Sequence, residues 1–211
     1  MDVKEILSGV SVEHLQGETN CDVSNICHKA QECSLGSLFV AIRGAKSDGH
    51  DFIEKAIANG ARFIMHETDF VPALGITAIK VMSSRTALGV IAKNFYHDPS
   101  SKLTVIGVTG TNGKTTTTYL IESILQMAGK TVGVIGTVNY RYNGETYPAI
   151  NTTPDSLELQ RILYEMHKTG VDCVVMEVSS HALDMKRVDE CNFDVGIFTN
   201  LTQDHLDYHH T

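Results

Sequence analysis

The chain has 211 residues, 42% of them apolar and 20% charged, with a formal net charge of −8. That length fits one large domain or two modest ones, and the negative charge speaks against general nucleic-acid binding, which needs a positive field. No run of about 18 apolar residues occurs, and the charged start Met1-Asp-Val-Lys-Glu5 has no signal-peptide core, so a cytoplasmic monomer without membrane insertion is expected.

The first 98 residues alternate strand and helix signals. Ser37-Leu-Phe-Val-Ala-Ile42 reads as a buried strand. Asp51 to Ala58 reads as an amphipathic helix with Phe52, Ile53, Ala56 and Ile57 on one face and Gly60 as its stop. Arg62–Met65 and Thr77–Val81 read as strands, and residues 83–96 carry a helical pattern. A small α/β domain over 1–98 is predicted, with the boundary in His97-Asp-Pro-Ser-Ser-Lys102 and a second domain over 99–211. The five cysteines, Cys21, Cys27, Cys33, Cys173 and Cys191, are odd in number and form no C-x-x-C pair. They read as reduced thiols. The even spacing of the first three invites a metal site, which the lack of a close pair disfavours.

The apolar run Leu103-Thr-Val-Ile-Gly-Val108 is a strand, followed by Thr109-Gly-Thr-Asn-Gly-Lys-Thr-Thr116 and then by a helix with Tyr119, Leu120, Ile124 and Leu125 on one side. Strand, glycine loop, lysine, hydroxyl and helix make a phosphate-binding loop. Backbone N–H groups and the helix N-terminus receive phosphate oxygens, Lys114 reaches the terminal phosphates, and the Thr115 hydroxyl can hold Mg²⁺. The strict pattern would place its first glycine where Val108 stands; here Gly110, Thr111, Asn112, Gly113, Lys114 and Thr115 form a shorter loop. A plain glycine turn is the bland alternative, and the flanking strand, the Lys-Thr pair and the helix argue against it.

Further on, Thr131–Ile135 reads as a strand, and Asn143-Gly144 between alternating aromatics as a type I′ hairpin. Thr153-Pro154-Asp155 reads as a helix start, with Thr153 as N-cap, for a helix running to Lys168 and stopping at Gly170. Val171–Glu177 and Phe193–Thr199 read as strands. Strands separated by helices imply a mostly parallel, doubly wound sheet, with ligands at the strands' C-terminal ends. The predicted class is α/β: a small N-terminal α/β domain, then a truncated, mostly parallel phosphate-loop ATPase domain. The chain stops at Tyr208-His-His-Thr211 without a capping glycine, polar tail or linker, so a piece of a longer protein is expected.

Glu177 ends an apolar strand, where a carboxylate can hold Mg²⁺; an ordinary strand-end glutamate is the alternative. His205 follows the last strand, although imidazole is a less typical Mg²⁺ ligand. His181 reads as a base or as a buried, hydrogen-bonded histidine. Ser179-Ser180-His181 lacks nucleophile-elbow glycines, which excludes a serine hydrolase of that kind. Thr152 and Thr153 can bind an anion or merely cap a helix, and Arg187 can meet a phosphate or be solvated.

Together these motifs resemble the Mur ligases, and within them the ligases acting on UDP-MurNAc-L-Ala-D-Glu. The runs that carry the likeness are Thr109–Thr116, Asn151-Thr-Thr-Pro-Asp-Ser-Leu-Glu158, Met176-Glu-Val-Ser-Ser-His-Ala-Leu183 and Thr199-Asn-Leu-Thr-Gln-Asp-His-Leu-Asp207, with Leu38–Gly44 and Asp48–Phe52 in the first domain. The resemblance implies ATP-dependent amide formation in peptidoglycan synthesis. The dipeptide carboxylate attacks ATP to give an acyl phosphate, and a third amino acid displaces phosphate. By the same resemblance, Lys114, Glu177 and His205 are catalytic and Gly110 to Thr115 hold ATP. Thr115, Glu177 and His205 surround Mg²⁺, and Asn151, Thr152, Thr153, Ser179 and Arg187 bind the UDP substrate. Lys29-Ala30-Gln31 departs from the family's Asp-Ser-Arg, and Ala30 lacks the serine hydroxyl that meets uridine. A further domain for ADP and the amino acid is expected beyond Thr211, so this piece should lack turnover. Another Mur-type ligase, or a nucleotide-binding module without ligation, stays open.

Overall fold

The computed structural model describes residues 1–44 and 47–209, so His210 and Thr211 of the chain end lie outside the described residues. The chain divides into two compact units, Met1–Phe95 and Tyr96–Thr211. Among the described residues, no helix is long and apolar enough to cross a membrane.

The first unit runs α1 (Val3–Ile6), β1 (Val12–Gln16), β2 (Ile26–Cys27), β3 (Ser37–Val40), α2 (Ile53–Ala58), β4 (Ala61–His66), β5 (Thr77–Val81) and α3 (Ser84–Phe95). Its sheet has the order β1-β5-β4-β3-β2. Strands β2 to β5 run parallel and β1 joins β5 antiparallel. β3, β4 and β5 are buried on both faces and carry near-continuous apolar runs, as covered parallel strands require. The predicted helix over 51–58 is a 3₁₀ turn, Gly49–Phe52, followed by α2. Ile53 and Ala56 are buried while Phe52 is exposed, so the apolar stripe is narrower than its sequence suggests. Gly60 stops α2 at φ +107°, and a Cβ there would lie 2.8 Å from the Leu35 nitrogen. Strands β1 and β2 carry no clear sequence signal. β1 is a half-exposed edge strand containing Glu13 and His14, and β2 has only two residues.

The second unit runs β6 (Thr104–Thr109), α4 (Lys114–Met127), β7 (Val132–Ile135), β8 (Asn139–Tyr142), β9 (Glu145–Pro148), α5 (Ser156–Lys168), β10 (Cys173–Glu177), α6 (Ser180–Asp184), β11 (Val195–Phe198) and α7 (Leu206–His209). The strand order is β11-β6-β10-β7-β8-β9. The first four strands of that order are parallel, and β7, β8 and β9 form an antiparallel meander. Asn143 and Gly144, at φ 52° and 77°, make the β8–β9 turn with the two positive φ values a type I′ hairpin needs. Side chains alternate across the sheet. Val105, Val174 and Met176 pack with Leu159, Ile162, Leu163 and Met166 of α5. Ile106, Val108, Val132, Val134 and Val175 pack with Ile121 and Leu125 of α4. Each of these two apolar layers covers one face of the sheet and fixes the strand ends where the loops converge.

Two helix expectations change. On α4, the face toward the sheet is Thr118, Ile121 and Leu125, while Tyr119, Leu120 and Ile124 are exposed. The helix is apolar on two sides, and Gly113 sets its starting phase. The N-cap of α5 is Asp155, which accepts from the Glu158 N–H, and Thr153 is committed elsewhere.

Cys27 and Cys33 form a disulfide, which corrects the expectation of five reduced thiols; Cys21, Cys173 and Cys191 are free. Nothing local in a spacing of six residues signals the pairing; β3 and the turn between the cysteines bring them together. Burial pushes the Cys191 thiol up to about 12, so it stays protonated and unreactive. Thiol titration of the unfolded, non-reduced chain is expected to count three groups, and five after reduction. Reduction should cost about 2 kcal/mol of stability in denaturant melts, from the entropy of the short loop released.

Candidate functional site

The C-terminal ends of β6, β10 and β7 carry the residues that the sequence marks. Strand β6 delivers the chain into Gly110, at φ 128°, and the loop closes at Gly113, at φ 86°, which is the N-cap of α4. No side chain caps that helix, so its first N–H groups and the positive end of its dipole face the loop. The Lys114 ammonium folds over the loop and donates to the Gly110 carbonyl at 2.6 Å and the Thr111 carbonyl at 3.0 Å. A cation and a helix start at one glycine turn form a place for an anion.

Glu177, at the end of β10, is 1% exposed, and its carboxylate takes three bonds. The Thr115 hydroxyl donates to Oε2 at 3.0 Å, the Thr137 hydroxyl to Oε2 at 3.1 Å, and the Thr137 N–H to Oε1 at 3.0 Å. Gly136 lets the carboxylate sit there, since a Cβ at that position would fall 2.4 Å from Oε1. The network continues outward. The Thr137 and Thr152 hydroxyls pair at 3.0 Å. The Thr153 hydroxyl donates to the Glu177 carbonyl at 2.8 Å and accepts from the Ser179 N–H at 3.1 Å. Arg187 donates to the Thr153 carbonyl at 2.8 Å, so it braces this loop rather than standing in solvent. Ser179 caps α6 by accepting from the Ala182 N–H, and the Asn151 carbonyl accepts from the Tyr140 hydroxyl at 2.7 Å.

A cleft of about 850 Å³ opens over the loop, lined by Lys114, Thr111, Ser179, Ser180, Asp204 and His205 among others. His205 lies in its wall at φ 51°, its ring edge-on to His181 at 4.5 Å between centroids and its Nε2 3.6 Å from Asp204. Thr115 and Glu177 are thus direct partners and His205 is a residue of the adjoining cleft. Among the described residues, no group of three His, Cys, Asp or Glu is arranged to hold a metal ion by itself. One hydroxyl and one carboxylate, both hard oxygen donors, suit Mg²⁺, which keeps waters and takes phosphate oxygens for its remaining positions.

The structure therefore brings Lys114, Thr115, Glu177, Thr152, Thr153, Ser179 and Arg187 into one connected region. The backbone N–H groups of Thr111 and Asn112 point to the 199–202 segment, with Thr111 N donating to the Asn200 carbonyl and Asn112 N to the Asn200 side chain, each at 3.0 Å. Sequence reasoning missed Thr137, Gly136 and Asn200. The available signal was position: each follows the end of a parallel strand, where sites of such sheets gather.

The comparisons with known proteins agree along the chain. Residues 22–96 match the Mur ligase family catalytic domain, and residues 108–211 match the Mur ligase middle domain. The chain is 44% identical over 209 residues to the UDP-N-acetylmuramoyl-L-alanyl-D-glutamate--2,6-diaminopimelate ligase of Caldanaerobacter subterraneus subsp. tengcongensis, covering 99% of this chain and 43% of that protein. It is 47% identical over 215 residues to the protein of the same name from Clostridium tetani, covering 100% of this chain and 44% of that protein. A solved structure of a UDP-N-acetylmuramoyl-L-alanyl-D-glutamate--2,6-diaminopimelate ligase matches with a TM-score of 0.84 at 28% identity, over 100% of this chain and 42% of that one. MurF ligase from Thermotoga maritima, solved in complex with ADP, matches with a TM-score of 0.62 at 27% identity, over 90% of this chain and 40% of that one. The chain spans about two fifths of the length of the curated relatives it matches. With both units matched by domains of one family and a glycine loop facing a buried glutamate, the chain belongs to the Mur ligase family.

Proposed function

We propose that the chain is the substrate- and ATP-binding part of a ligase that adds the third amino acid to UDP-MurNAc-L-Ala-D-Glu in the cytoplasm. The observation that carries this reading is the single hydrogen-bonded network running from the phosphate loop through Thr115, Glu177 and Thr137 to Thr152, with Thr153, Ser179 and Arg187 behind it. It puts groups suited to a triphosphate beside groups suited to an anionic second substrate. The relatives named for this substrate support the choice, and the ADP complex of the MurF structure supports an adenine nucleotide.

In this reading Gly110 to Thr115 hold ATP, and Thr115, Glu177 and His205 hold Mg²⁺. Asn151, Thr152, Thr153, Ser179 and Arg187 hold the UDP-MurNAc dipeptide. The dipeptide carboxylate attacks the γ-phosphorus, the bond from that phosphorus to the bridging oxygen breaks, ADP departs with that oxygen, and an acyl phosphate forms on the dipeptide. The amine of the incoming amino acid then displaces phosphate and loses a proton. Bringing two anions together is the main barrier, and Lys114 lowers it by neutralising phosphate charge as it shifts to the leaving oxygens. Mg²⁺, when bound, supplies further charge compensation. Glu177 keeps Thr115 and Thr137 aligned, and Arg187 keeps the Thr153 loop in place.

The first unit binds the UDP end in this reading. Its Ala30 is buried, with its carbonyl accepting from Asn59 at 2.7 Å, and its methyl side chain offers uridine no donor. The test is a titration of UDP-MurNAc-L-Ala-D-Glu into the chain with and without Mg-ATP. Saturable binding that the same concentration of UDP-glucose does not reproduce supports the assignment; equal affinity for both points to a nucleotide-binding module without this substrate.

A further inference from the structure

We propose that Asn200 is a positioning residue of the phosphate loop, an assignment that rests on the nucleotide-site reading for its purpose but on geometry for its existence. Asn200 lies just beyond β11, the parallel neighbour of β6. Its carboxamide grips the main chain of Asn112 from both ends. The Asn112 N–H donates to Oδ1 at 3.0 Å, and Nδ2 donates to the Asn112 carbonyl at 3.0 Å. The Asn200 carbonyl accepts from the Thr111 N–H at 3.0 Å. On one side the Thr199 hydroxyl donates to the Asn112 carbonyl at 2.7 Å. On the other, the Thr111 hydroxyl donates to the Thr202 carbonyl at 3.1 Å and accepts from the Thr202 N–H at 2.9 Å.

The first loop glycine obeys the same contact. A Cβ on Gly110 would fall 2.2 Å from the Thr199 hydroxyl and 2.8 and 2.9 Å from the Asn200 carbonyl oxygen and nitrogen. Gly110 is therefore required by the segment behind the loop, whatever lies in front of it.

The chemistry of the grip is narrow. It needs one acceptor and one donor on a short planar group, which a carboxamide has and a carboxylate lacks. A segment with glycines at both ends has many conformers when free. Holding Thr111 and Asn112 through Asn200 occupies their N–H groups, and it sets the loop before a ligand arrives, which raises affinity by preorganisation. The same segment continues to Asp204 and His205 in the cleft wall, so one strap fixes the loop and leads into that wall.

Hydrogen exchange at the Asn112 amide, followed by NMR in the 211-residue chain without nucleotide, reads the grip directly; a Mg-ATP titration reads what the grip is for. With Asn200→Ala, exchange at Asn112 is expected to speed up at least tenfold while Val175 in β10 stays protected, and the Mg-ATP dissociation constant should rise about tenfold. Asn200→Asp keeps the volume but turns a carboxylate oxygen toward the Asn112 carbonyl, and should behave like the alanine variant; it carries the test if Asn200→Ala does not fold. A residue that merely fills space would tolerate that exchange. Unchanged protection at Asn112, or Mg-ATP affinity within twofold of wild type in Asn200→Asp, overturns the proposal. If the wild-type chain itself fails to bind Mg-ATP, the nucleotide reading falls, and exchange at Asn112 still decides whether Asn200 holds the loop.

Discussion

Lys114→Ala is expected to weaken ATP binding about thirty- to a hundred-and-fifty-fold, the effect of losing a charge-assisted hydrogen bond of about 2–3 kcal/mol. The ammonium stands over the loop, held by the Gly110 and Thr111 carbonyls. The chain carries a net charge of −8 and offers an anionic nucleotide no long-range attraction, so this local cation is expected to carry much of the binding. Stability should fall by only about 1 kcal/mol, because both carbonyls can turn to water when the ammonium is gone. Affinity measured by calorimetry and stability measured by urea melts separate the two effects. Unchanged affinity in Lys114→Ala would mean that the loop is not the phosphate site.

Gly136→Ala is expected to damage the same site from the other side. The new methyl would lie 2.4 Å from Glu177 Oε1, 3.2 Å from Cδ and 3.4 Å from Cγ. Backbone on a buried strand end yields less readily than a side chain, so the carboxylate must move. It then leaves the Thr137 N–H and the Thr115 and Thr137 hydroxyls, and a charge that is 1% exposed loses its compensation. Breaking a buried charged network in this way costs about 3–5 kcal/mol, visible as a fall in the urea midpoint, and Mg²⁺ should no longer strengthen ATP binding. Glu177→Gln is the informative comparison. An amide can still accept from Thr137 N and meet the hydroxyls, so most stability should survive while the Mg²⁺ effect is lost. If Gly136→Ala kept both stability and Mg²⁺ dependence, the carboxylate would have no fixed role.

The parts of this site that sequence made legible are those written in local chemistry. The glycine loop is contiguous, and the flanking strand and helix announce themselves by apolar periodicity over a few residues. The same holds for β3, β5, α3 and the Asn143-Gly144 hairpin. What could not be read joins residues far apart in the chain. Thr137 reaches Glu177 across 40 residues and Asn200 reaches Asn112 across 88, and no spacing rule links such pairs before the sheet order is known.

Local rules also competed. Thr153 satisfies the pattern of an N-cap, yet Asp155 fills that role, while the Thr153 hydroxyl accepts from the Ser179 N–H and donates to the Glu177 carbonyl. The outward turn of Tyr119, Leu120 and Ile124 has a similar cause. Two apolar stripes were available on α4, and the strands took the one carrying Ile121 and Leu125, while Arg141 settled over Tyr119 and paired with Glu122.

Calorimetric titration of ATP into the 211-residue chain, in Mg²⁺ and again in EDTA, decides whether the glycine loop and Glu177 form a Mg-nucleotide site. The expected result is one site per chain whose affinity falls at least tenfold when Mg²⁺ is removed. No binding in Mg²⁺, or equal affinity in EDTA, would contradict a Mg-nucleotide site built on Lys114, Thr115 and Glu177.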